Sequence, residues 1–94
     1  MEEEKDDILE TIGEEALWMQ LAEEAAELSQ AAAKMARFWH ATNPTMMEEL
    51  DIRKNVIEEY SDVVNCARHL HIPVSERLIA AKNIRWRQRL GLVK

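Results

Sequence analysis

The sequence predicts an all-α chain, and three observations carry that expectation. Apolar residues recur at the spacing of a helical face through two long stretches, no stretch shows the two-residue alternation of a half-buried strand, and both prolines and both glycines fall outside the helical stretches. At 94 residues the chain makes one small domain with a single modest core, so association with further copies is the natural way to bury more surface.

Residues 1–12 are expected to be an acid-rich tail followed by a short amphipathic helix. Ile8, Leu9 and Ile12 supply its apolar side, Gly13 ends it, and its expected role is packing over the rest. Residues 13–94 form the helical domain proper. Glu14 to His40 reads as one long helix, in which Ala31, Ala32 and Ala33 permit close approach of a neighbour and Phe38 and Trp39 close the end. Pro44 biases Asn43 away from helix and makes 41–44 the clearest break in the chain. Thr45 and Glu48 have capping-box form and open a second long helix that runs to about Leu70. The run from His71 to Pro73 breaks it. Ser75 is a good N-cap for a third helix from Glu76 to Leu90, with Gly91 just past its end.

Within the two long helices the acids are placed unusually. Glu24 and Glu27 lie three apart, as do Glu59 and Asp62, so each pair shares a helix face. At about 100° per residue, Leu17, Leu21, Leu28 and Met35 make one apolar stripe; Glu24 lies about 20° from Leu17, Glu27 about 80° away at the edge, and Glu23 about 120° away. In the second helix Ile52, Val56, Val63, Cys66 and Leu70 surround the direction of Glu59, while Asp62 lies about 60° off and Glu58 about 100° off. Glu24 and Glu59 therefore point inward. An unpaired inward carboxylate costs several kcal/mol, and facing acids repel. A divalent cation removes both penalties, because hard Mg²⁺ or Mn²⁺ prefers carboxylate oxygen. Solvated acidic faces are the ordinary meaning of such motifs, but two segments that each turn one acid inward favour the metal site.

The third helix carries a different charge. Lys82 falls between Leu78 and Trp86 on its apolar side, Asn83 lies at the edge of that face, and Arg85, Arg87 and Arg89 follow. Arg87 and Arg89 suit the negative end of their own helix; Lys82 and Arg85 suit phosphate. Trp39 and Trp86 are candidates to stack on a nucleobase, and Trp18 is a third tryptophan to weigh. His40, His69 and His71 fall near helix ends and read as surface residues or caps. None has a glutamate three positions before it, so the ExxH signature of di-iron bundles is missing.

A net charge of −6 argues against binding nucleic-acid polymers or anionic membranes through the overall field. The lone Cys66 makes no internal disulfide, reads as core, and fits a reducing cytoplasm. No apolar run approaches the roughly 18 residues of a membrane span. The acidic start is also unlike a secretion signal, and the expected location is cytoplasmic.

Residues 13–28, then Thr42 to Thr45, Val56 to Val64 and Lys82 to Arg85, resemble the MazG-like all-α nucleoside triphosphate pyrophosphohydrolases. The family hallmark, EExxE followed by ExxD, is matched by Glu23, Glu24 and Glu27 and then by Glu59 and Asp62; the segment between the halves is slightly longer than the commonest form. The resemblance implies two long antiparallel helices and a shorter third, paired with a second chain in a four-helix core, as a homodimer or a dimer of dimers. It implies Mg²⁺, with Mn²⁺ as a substitute, held by Glu24, Glu27, Glu59 and Asp62. It implies Glu23 as general base for the attacking water, and Lys82, Asn83 and Arg85 as contacts to phosphate and sugar. The reaction would split a nucleoside triphosphate into monophosphate and pyrophosphate. The alternative is a non-catalytic helical oligomer or interaction module, with Met46, Met47 and the Phe38–Trp39 patch facing a partner.

Overall fold

The computed structural model describes residues 6–40 and 45–92, and among these there is no strand. Four helices follow in order: α1 (Asp7–Ile12), α2 (Glu14–Phe38), α3 (Met46–His69) and α4 (Glu76–Arg89). Each start and stop has a local cause. Asp6 accepts from the Leu9 amide at 3.0 Å, Thr45 from the Glu48 amide at 3.1 Å, and Ser75 from the Leu78 amide at 3.1 Å, satisfying N–H groups that a helix start leaves free. Gly13 ends α1 and precedes α2 with φ +93°, a left-handed value that suits a residue without a Cβ.

α3 and α4 end alike. After α3, His71 takes φ +58° and the Ile72 amide reaches back to the Ala67 carbonyl at 3.0 Å. After α4, Gly91 takes φ +72° and the Leu92 amide reaches the Arg87 carbonyl at 2.9 Å. Both are the six-to-one closure in which glycine is the favoured left-handed residue, and α3 closes with histidine instead. The acidic run before Asp6 and the expected break at 41–44 lie outside the described residues.

α2 and α3 form the principal pair, with α1 laid more lightly on α2. Gln20 and Glu24 share a cavity with Asp62 and His69, whereas Lys34 and Arg37 share one with Asn55 and Glu59; the two chain directions therefore oppose. Leu17, Ala31 and Cys66 are the buried apolar residues among those described. Leu21, Leu28, Met35, Ile52, Val56, Val63 and Leu70 are half-buried along the same seam. The alanine-rich middle of α2 acts as the sequence suggests at one position, Ala31, which is 3 % exposed; Ala32 and Ala33 face out.

α4 has no comparable packing partner among the described residues. Its described residues are exposed throughout, including Ile79 and Trp86. The chain presents 8300 Å² to solvent, about 2,700 Å² more than a compact monomer of its mass would. Its radius of gyration is 17.9 Å, against about 12 Å for a compact domain of this length. No helix among the described residues is long and apolar enough to cross a membrane.

Candidate metal centre

Three acids meet across the α2–α3 seam. Carboxylate oxygens of Glu24, Glu27 and Glu59 lie within 4.8 Å of one another. The helix period puts Glu24 and Glu27 on one side of the seam, and the opposed direction of α3 brings Glu59 level with them. Glu24 and Glu59 are half-buried and Glu27 is exposed, the order in which their angles approach the apolar stripe. Glu23 and Glu58 face solvent.

The electrostatics of the group are unsatisfied. Glu24 Oε1 accepts from the Gln20 side-chain amide at 2.7 Å. Glu24 Oε2 and Glu59 Oε2 are shut off from solvent and have no hydrogen-bond partner among the described residues. The Gln20 contact draws the Glu24 carboxyl down, but burial and the charges of Glu27 and Asp62 outweigh it and hold that carboxyl above the ordinary glutamate range. Glu27 is also raised, chiefly by the closeness and charge of the Glu59 carboxylate, with burial adding to it. Two desolvated oxygens without donors are costly, and a hard divalent cation satisfies them in a way that a neighbouring carboxylate cannot.

Asp62 stands outside the three-acid group. It lines a cavity of about 210 Å³ with Glu24, Leu17, Gln20, Asn65, Cys66 and His69, roofed by Ile8 and Ile12 of α1. Its charge still reaches the group, contributing to the raised state of Glu24 and Glu27. On the other flank, a wider groove of about 680 Å³ runs from Glu27 and Glu59 past Ala31 and Asn55 to Lys34 and Arg37. Lys82, Asn83 and Arg85 line neither space. They share with Ile79 and Trp86 a separate surface on α4, so the single chain does not bring them to the acids. Trp18, Trp39 and Trp86 are all exposed, and Trp39 meets Phe38 edge to face at 5.3 Å.

Several residues at the centre were not singled out from the sequence. Gln20 carries a readable signal, since it precedes Glu24 by one helical turn. Lys34 likewise follows Glu27 by two turns. His69 corrects its reading as a surface residue or cap: its side chain is 24 % exposed, and Nδ1 contacts the two Asp6 carboxylate oxygens at 2.9 and 2.7 Å. Asp6 and His69 are 63 positions apart, and no local pattern links them. No family model, curated protein or solved structure matches the chain.

Proposed function

We propose that the chain is a metal-dependent nucleoside triphosphate pyrophosphohydrolase of MazG-like type, acting in the cytoplasm. The observation that carries the reading is the pair of buried, partnerless oxygens of Glu24 and Glu59 within a three-carboxylate group. Glu24, Glu27 and Glu59 would hold Mg²⁺, or Mn²⁺ in its place, with Asp62 beside them. Such an ion polarises phosphoryl oxygens and offsets the charge that develops in an in-line displacement. Gln20 fixes one oxygen of Glu24 and leaves the other free for a ligand. Glu23, next to the group but exposed, is the candidate base for the attacking water.

The active form is a homodimer or a dimer of dimers. The excess of about 2,700 Å² of exposed surface per chain, about 5,400 Å² for a pair, is of the size that large obligate interfaces cover. Basic α4, without a comparable packing partner among the described residues, then meets the acidic centre of a second copy and delivers Lys82, Asn83 and Arg85 to phosphate and sugar.

The test is pyrophosphate release from a panel of ribo- and deoxyribonucleoside triphosphates with Mg²⁺, Mn²⁺ or EDTA. Metal-dependent release is expected. No release together with no rise in melting temperature on adding metal would sink the reading, because binding to the folded state alone must stabilise it. One observation favours a second reading, an interaction module: Met46 and Met47 are 70 % and 66 % exposed near the start of α3. That reading predicts association without metal binding.

A further inference from the structure

We infer that Lys34 and Arg37 form an anion subsite for the phosphate tail, which orients the substrate along α2 with its terminal phosphates toward the helix C-terminus. The inference rests on the hydrolase reading and assigns a direction to it. Lys34 and Arg37 line the groove that opens from Glu27 and Glu59, and no carboxylate among the described residues pairs with either. Helical side chains lean toward the N-terminus, so Lys34, about 10 Å along the axis from Glu27, leans back toward the acids. Arg37 lies a further turn out and adds a planar fork suited to phosphate. Among the described residues the opposite flank offers no comparable cation: His69 is engaged by Asp6, and Ile8 and Ile12 line the space.

The probe is Mg²⁺-tripolyphosphate, whose affinity is measured by calorimetry for the wild type, K34Q, R37Q and the control K54Q. Lys54 is exposed on α3 and lines no described cavity. Each groove variant is expected to bind tripolyphosphate at least about tenfold more weakly, and K54Q is expected to bind like the wild type. Equal affinity in all four overturns the subsite. Failure of the wild type to bind Mg²⁺ at all is a failure of the hydrolase reading instead.

A different observation assigns α1 a role of its own: the geometry points to a clasped lid over the Glu24–Asp62 end of the centre. α1 is two turns long, lies lightly on α2, and joins it through Gly13 in a left-handed conformation. One residue fastens its far end, because Asp6 both caps α1 and grips His69 near the end of α3. Beneath it, in the cavity shared with Glu24 and Asp62, lies the chain's only cysteine, Cys66, 8 % exposed. Lifting α1 uncovers this thiol and opens the cavity that it shares with the two acids.

Cys66 thus reports on the lid without any nucleotide. Its labelling by a neutral maleimide is expected to be slow in the wild type, about tenfold or more faster in D6A and H69Q, and unchanged in E10Q, which alters α1 but not the clasp. Unchanged rates in D6A and H69Q overturn the lid. So does a faster rate that follows the global unfolding curve in urea, since local opening is insensitive to low denaturant. Because the readout is the thiol, it stands or falls separately from pyrophosphate release.

Discussion

α2 and α4 are both amphipathic, yet among the described residues only α2 finds a close packing partner. The α2 stripe meets α3, buries Leu17 and Ala31, and holds Glu24 in register with Glu59. α4 carries Leu78, Ile79 and Trp86 at comparable spacing but leaves them 58 %, 42 % and 59 % exposed. Their charges differ in the same sense: the α2–α3 seam gathers acids, whereas α4 has Arg77, Lys82, Arg85, Arg87 and Arg89 against one acid, Glu76. Periodicity identifies a buried face; it does not say whose surface buries it.

The sharpest way to separate the two regions is through the seam acids. E24Q and E59Q are expected to lower pyrophosphate release by more than about 100-fold, beyond the 10- to 100-fold typical when only a ligand's supporting partner is lost. Both should also melt at a higher temperature than the wild type without metal, because a neutral amide removes the repulsion, and should lose the Mg²⁺-induced rise. Near-normal hydrolysis would exclude them as metal ligands. E23Q should lower turnover by about 10² to 10⁴ while keeping the metal-induced rise, the signature of a base rather than a ligand.

Truncation within the two helices sharpens the contrast further. L17A should cost about 2–5 kcal/mol in urea unfolding, as expected for a buried leucine. W86A should leave the helical content of a dilute sample unchanged and instead weaken self-association in sedimentation. If W86A unfolds the chain as L17A does, α4 belongs to the chain's own core.

The acid pair also makes a pH prediction. Glu24 and Glu27 titrate above the ordinary range, so protonation favours the folded state. The stability they contribute is complete below about pH 4.3, the unperturbed value, and is lost as pH rises through their raised values. Asp6 is lowered by the Leu9 amide and by His69, so its contribution is present above its unperturbed value and fades only in stronger acid. The melting temperature without metal should therefore be higher near pH 5 than at neutrality, and Mg²⁺ should raise it more at the neutral end. A profile that climbs toward neutrality without metal would remove the repulsion from the account. The smallest effect is expected at the α3 terminus, where H71G should add about 1 kcal/mol by relieving a left-handed histidine.

Much of the helical layout was legible, because its signals are local. Thr45 and Ser75 mark their helices through side-chain caps, and observed helix ends fall within about two residues of the expected ones. The inward turn of Glu24 and Glu59 follows from the helix period alone. The separation of Asp62 from the other three acids was not legible, since it depends on how α2 and α3 sit against each other. Asp6, read as part of an acidic tail, joins His69 through a contact that exists only once three helices have assembled. The placing of α4 is the extreme case, because its apolar residues meet no comparable surface among the described residues.

The centre is assembled from Glu24 and Glu27, three apart on one rod, and Glu59 on a second rod set beside it, and this restricts how the sequence can vary through descent. An inserted or deleted residue between Glu24 and Glu27, or between Glu59 and Cys66, turns everything beyond it by about 100° and breaks the alignment of acid with seam. A change of length between Trp39 and Thr45 disturbs neither rod. Lineages of this molecule should therefore gain and lose residues at that junction while the two rods change only by replacement.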